Sequence, residues 1–185
     1  MKAVLISIQP KWCEQIASGK KTIEVRKTHP KIDTPFKCYI YCTADRRKHI
    51  ADTFVPQTPL FVKNGMAKSS IGREDGLPWK LGNGKVIGEF VCDSIIVARC
   101  GSYCKIPTKL SQIDAIDLLD YANDKPVYGW HISNLVIYDK PKSIVELCKP
   151  CDRDPQCDCN HCKRHGGGKP VLRAPQSWCY VEELQ

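Results

Sequence analysis

The strongest constraint on this chain is the period of its apolar runs. They are short, β-branched and mostly alternate every second residue, which is the pattern of strands with one face buried. Residues 2–8 (Lys-Ala-Val-Leu-Ile-Ser-Ile) form the first such run. Further runs lie at 22–27, 36–43, 85–99, 127–138 and 176–183. Helical spacing is sparse. Pro10 suits the first turn of a short helix over about 10–18, with Trp12, Cys13 and Ile16 on its apolar side and Gly19 at its end. A second helical stretch follows Ser111, which pairs with Asp114 as a capping signal, and Ile113, Ile116 and Leu119 are spaced for one face. Six strands with few helices predict an α+β, mainly β domain: a mixed barrel of five to seven strands with the 10–18 helix against one opening.

At 185 residues, one elaborated domain over 1–185 is expected. Two segments interrupt it. Residues 45–84 are rich in Gly and Pro breaks and read as a surface insertion with little core. Residues 148–168 are rich in Cys, His and Gly.

Charge is unevenly spread. The chain carries a formal +8, and residues 1–50 hold 11 Lys and Arg against 4 Asp and Glu, so that segment alone supplies +7. A field concentrated in this way suits an anionic partner, and a solvated basic face is the plainer alternative. The apolar run at the N-terminus is too short for a secretory signal, and no stretch approaches the roughly 20 apolar residues that span a bilayer. The expected compartment is therefore the cytoplasm, where thiols stay reduced.

Twelve cysteines then call for metal rather than disulfides. Cys148 and Cys151 form one Cys-x2-Cys pair and Cys159 and Cys162 another, seven residues apart. Two such pairs supply the four thiolates of a tetrahedral structural Zn2+ site. Cys157, His161 and His165 are alternate ligands. The segment has almost no apolar residues, so metal bonds would stand in for a core. Cys100 and Cys104, spaced Cys-x3-Cys, are candidates for a second metal; Cys13, Cys38, Cys42, Cys92 and Cys179 read as core.

The densest polar motif is Gly19-Lys20-Lys21-Thr22-Ile23-Glu24-Val25-Arg26. Strand periodicity puts Ile23 and Val25 on one face and Glu24 and Arg26 on the other. Gly19 allows close approach to a ligand, Arg26 offers a fork for phosphate or carboxylate, and Glu24 beside two cations can accept a base N–H or a sugar hydroxyl. A surface ion-pair ladder of little energetic weight is the alternative.

This motif, with Ile6-Ser7-Ile8-Gln9-Pro10, Val86-Ile87-Gly88-Glu89-Phe90, Tyr138-Asp139-Lys140-Pro141 and Ala174-Pro175-Gln176-Ser177-Trp178 in the same order, resembles the ASCH family. The resemblance covers about 1–45, 86–147 and 173–184 and omits both insertions. It implies a PUA-like barrel whose basic cleft binds RNA or a modified nucleotide, in the cytoplasm (of a host, were the source a phage). Ser7, Gln9, Lys21, Glu24, Arg26, Trp130, Gln176 and Trp178 are the implied ligand-binding set, and Trp12 and Tyr128 are further stacking candidates. Small bacterial members are amidohydrolases that deacylate N4-acetylcytidine with a Lys–Thr–Glu set. Lys21 matches the lysine, Glu24 stands where the threonine belongs, Thr22 is on the other strand face, and Glu89 is a candidate carboxylate. An amidohydrolase or ribonuclease is thus the second reading. A protein-interaction module docking through the zinc loop is the third.

The cysteine spacing sets a direct test. Protein purified under reducing conditions should hold about one zinc per chain by metal analysis, and Cys148→Ser should loosen 148–168 while leaving the barrel folded. Native protein without stoichiometric metal would exclude the site.

Overall fold

The structure, a computed structural model, describes residues 1–43, 62–63, 66–67, 84–99, 104–150 and 168–184. Its main body is a six-stranded mixed sheet built from β1 (Lys2–Ile8), β2 (Ile23–Arg26), β3 (Phe36–Cys42), β6 (Lys85–Arg99), β7 (Pro126–Lys142) and β8 (Trp178–Glu182). Between β3 and β6 stand the two-residue strands β4 (Val62–Lys63) and β5 (Met66–Ala67), which pair only with each other. The order across the sheet is β2-β7-β6-β3-β1-β8. β1 and β3 run parallel and every other neighbour is antiparallel. No helix among the described residues is long and apolar enough to cross a membrane.

The sheet is rolled on itself. Trp130 on β7 and Trp178 on β8 are four ladders apart, about 19 Å in a flat sheet at strand spacing. Their ring centroids are 6.1 Å apart. Among the described residues no backbone ladder joins the edge strands β2 and β8. Side chains close the seam instead: Trp178 Nε1 donates to Thr28 Oγ1 at 2.9 Å, and the Lys31 N–H donates to Tyr180 Oη at 2.7 Å. The expected barrel is therefore an open one, closed by an aromatic seam. Phe36 and Trp130 meet edge to face inside it, with Val4, Ile6, Ile40, Phe90 and Ile132 around them.

β1 is buried on both faces, which explains why its sequence is nearly continuous in apolar residues. Its inner side chains join Trp130, and Ala3 and Leu5 pack outward with Tyr39 and Val181. Helix α1 (Pro10–Ala17) drops Cys13 and Ile16 into the inner core. It starts on Pro10 and ends with Gly19 at φ +73, a conformation only glycine adopts without strain. Cys38, Cys42 and Cys92 are core residues as expected.

The stretch after Ser111 departs from its periodicity. Gln112 adopts a left-handed conformation and splits it into α2 (Thr108–Ser111) and α3 (Ala115–Ala122). Ser111 ends the first helix, and Asp114 precedes the second without a side-chain cap. The buried face is Leu118 and Ala122, over Ile23, Val25 and Val127, while Ile116 is 74% exposed.

Backbone hydrogen bonds close the chain around the two segments expected as insertions, 45–84 and 148–168. The Gly84 N–H bonds Cys42 O at 2.8 Å, which brings the two ends of 43–84 together. Around the second, Lys149 N–H bonds Lys169 O and Val171 N–H bonds Leu147 O, each at 2.8 Å. Cys104 is disulfide-bonded, which removes it from a second metal site. Of the proposed zinc ligands only Cys148 lies at this neck. Cys151, Cys157, Cys159, His161, Cys162 and His165 lie outside the described residues, and among those described no three metal-ligating side chains cluster.

The barrel's tightest backbone approach is at Gly88, in the irregular stretch where β6 shifts register against β7. A Cβ there would stand 2.4 Å from the Val136 carbonyl oxygen, and backbone cannot yield as a side chain does. Gly88→Ala should cost about 1–3 kcal/mol, the scale of core overpacking, read as a lower urea midpoint.

Candidate functional site

One mouth of the rolled sheet opens into a cleft of about 410 Å³. The end of β1 and the start of α1 supply Ser7, Ile8, Gln9 and Trp12; Lys21 and β2 supply Glu24, Val25 and Arg26; α3 and the turn before it supply Ile113, Asp117 and Tyr121. Thr43 and Gln176 complete the lining.

Glu24 is central. It stands opposite Trp130 in the β2–β7 ladder and so faces the barrel interior, 5% exposed. Its Oε1 lies 3.0 Å from Arg26 Nη2 and its Oε2 lies 3.4 Å from Lys21 Nζ. Each cation has a second anchor: Lys21 Nζ donates to Ser111 O at 2.6 Å, and Arg26 Nη2 donates to Ser7 O at 2.6 Å. The triad thereby joins β2 to α2 and to β1. Of its polar atoms Arg26 Nε is buried without any polar partner, and Glu24 Oε2 has only its ion pair with Lys21. Such groups are uncommon in folded proteins, and near a cleft they point to an absent polar partner.

Lys21 is only 1% exposed. Burial pushes its ammonium below the usual lysine range, the attraction of Glu24 opposes this, and Arg26 adds to the lowering. Trp12 borders the same ammonium, with Lys21 Nζ 5.0 Å from its ring centroid. Among the described residues that line the cleft, Lys21 and Arg26 balance Glu24 and Asp117 in formal charge.

The structure brings together Ser7, Gln9, Lys21, Glu24, Arg26 and Gln176 from the sequence-derived set. Ser7 has its hydroxyl committed to Pro175 O at 2.7 Å, and its N–H takes Ser177 O. It holds the 175–177 segment, and with it Gln176, at the mouth. Three expected residues lie elsewhere. Trp130 is wholly buried in the core. Trp178 does not line the cleft and spends its N–H on the seam. Glu89 pairs with Lys37 at 3.1 Å and accepts from Tyr138 Oη, away from the cleft. The hydrogen bonds of Tyr138 and Lys37 hold its carboxyl below the usual range, against desolvation, which is the largest single influence on it. His131 bonds Asp93 at 2.6 Å outside the cleft.

Asp117 and Tyr121 were missed. They are four residues apart, so one face of α3 carries both, and that spacing was the available signal. Burial raises the Tyr121 hydroxyl above its usual range.

No protein-family model matches the chain, and no curated protein matches it. Solved structures do. Two variant crystal structures of the ASCH protein from Zymomonas mobilis superpose on it. One has a TM-score of 0.55 at 13% identity, covering 98% of this chain and 89% of that one. The other has a TM-score of 0.51 at 15% identity, covering 99% and 92%.

The chain has an ASCH-type fold.

Of the five segments that resemble the ASCH pattern, three meet at the cleft: 6–10 through Ser7 and Gln9, 19–26 through the triad, and 174–178 through Gln176. The segments 86–90 and 138–141 do not reach it.

The triad predicts a pH signature. A lysine whose folded pKa lies below its ordinary value of about 10.4 costs stability while charged. That cost disappears as pH rises through the folded pKa, so this group makes stability increase with pH between its folded and unfolded values. Glu24→Gln removes the charge that opposes the lowering. Lys21 should therefore titrate lower still in that variant, as read by NMR of the lysine side-chain carbons. A Lys21 that titrates with the exposed lysines would contradict the burial argument.

Proposed function

We propose that the cleft binds one nucleotide unit, of an RNA or of a modified nucleotide, with its base held at Glu24 and Arg26. The observation that carries this is the gathering, in one cleft, of the Glu24 carboxylate and the Arg26 guanidinium, whose Nε is buried without a hydrogen-bond partner, with the aromatic rings of Trp12 and Tyr121. A base edge presents a donor and an acceptor side by side, so it can accept from Arg26 and donate to the Glu24 carboxylate. Aromatic Trp12 and Tyr121 in the lining offer faces for stacking, and the amides of Gln9 and Gln176 at the mouth can both donate and accept. A volume of about 410 Å³ lies within the range of small-ligand sites. The fold likeness to ASCH proteins agrees with a binding domain of this type.

Catalysis is the second reading, favoured by a buried lysine with a lowered pKa in a cleft. The positions that would complete the Lys–Thr–Glu set speak against it. Glu24 replaces the threonine, Thr22 does not line the cleft, and Glu89 is engaged elsewhere. Turnover of N4-acetylcytidine should be weak or absent; robust turnover that disappears in Lys21→Ala would make the chain an amidohydrolase.

The binding test is calorimetric titration with the four nucleosides and an eight-nucleotide single-stranded RNA of mixed sequence at low salt. Trp12→Ala should weaken binding by about 1–3 kcal/mol, the scale of a base stacked on an aromatic ring. Arg26→Ala should weaken it by about 1.5–3 kcal/mol, the scale of a charged hydrogen bond. Glu24→Gln should alter the order of preference among bases more than the overall affinity. No detectable binding of any of these ligands would refute the proposal.

A further inference from the structure

We propose that the nucleotide in the cleft is an internal unit of a single RNA strand, with its flanking phosphates caught at the rim by Lys11 and Lys27. This rests on the nucleotide reading above and goes further, because it names a polymer rather than a free nucleoside as the ligand.

Electrostatics leads to it. The described residues that line the cleft are formally neutral together, so by themselves they offer no net attraction to a polyanion. Two exposed lysines among the described residues stand at the edge of the cleft. Lys11 Nζ lies 4.4 Å from the ring centroid of Trp12, and Lys27 Nζ lies 4.9 Å from that of Tyr121. Both rings line the cleft, and both lysines are exposed. Neither has an acidic partner among the described residues. A cation held against a ring keeps its charge near the opening, with its outer hydrogens free for a phosphate.

The two positions belong to different elements. Lys11 is in the first turn of α1, which has neither a side-chain cap nor an acidic residue there, so the positive end of the helix dipole adds to the Lys11 charge. Lys27 follows β2 directly, and its contact with the Tyr121 ring sets it beside α3. Asp117, one turn before Tyr121, would repel a phosphate that entered the cleft and leaves the rim as the favourable place. A nucleoside monophosphate has one phosphate for two such positions. An internal nucleotide has one on each side.

The experiment measures affinity against salt for the wild type and for the double variant Lys11→Gln/Lys27→Gln. The ligands are the eight-nucleotide RNA, the four nucleosides and their 5′-monophosphates. Both lysines are exposed, so the variant should keep its fold, as circular dichroism can show. The RNA should bind the wild type at least tenfold more tightly than any nucleoside at low salt. The slope of log affinity against log salt should fall by about 1.4 in the double variant, about 0.7 for each phosphate of a single strand that is no longer neutralised. Nucleoside affinity should stay within twofold. An unchanged RNA slope, or nucleosides or monophosphates binding as tightly as RNA, would overturn this inference and leave the nucleotide reading intact. Absence of binding by all three ligand classes would overturn both.

Discussion

A single carboxylate, Glu24, organises the functional end of this molecule. It lies between two cations, and each cation is also bound to a backbone carbonyl on another element, Ser111 O at the end of α2 and Ser7 O on β1. A buried charge tolerates this position only because both neighbours are present. Removing one cation would leave the carboxylate short of its compensation, at a cost typical of a broken buried pair. The same ties reach the 175–177 segment, because Ser7 accepts from Arg26 at its carbonyl and donates its hydroxyl and N–H to that segment. Placement of a strand, a helix pair and the closing segment thus depends on one electrostatic knot.

Much of the sheet was legible from period alone. Strands β1, β3 and β6 fall within a residue of the runs that predicted them, because a half-buried or fully buried strand writes its faces directly into the chain. Helix α1 was legible from Pro10 and Gly19, each of which has a strong local preference. The roll of the sheet was not. It shows only in contacts between residues far apart in sequence, such as Trp130 with Trp178, and in irregular pairing of β6 that no local pattern marks. The same cause explains the misplaced site residues. Trp130 and Glu89 carry attractive chemistry, but which side of a curved strand faces the opening depends on bulges such as those along β6. Around α3, one left-handed residue, Gln112, rotated the helix relative to its apparent periodicity, hiding the role of Asp117 and Tyr121 and exposing Ile116.

The motif 19–26 behaved differently because its chemistry and its period agree. Alternation put Glu24 and Arg26 on one face, and the structure has both there with Lys21. What the charge count could not show is where the positive excess acts. Among the described residues the charges that line the cleft cancel, while Lys11 and Lys27 stand against aromatic rings beside it.

The hydrogen-bonded necks have an evolutionary consequence. At Cys42–Gly84 the chain leaves and re-enters the sheet at one point, so the strands on either side do not register how many residues lie between. The entropic penalty of a longer excursion grows only with the logarithm of its length. Thr43, the residue next to that exit, lines the cleft. New sequence can therefore be added at the edge of the binding cleft and tried against new ligands, while the barrel that supports the cleft is inherited unchanged.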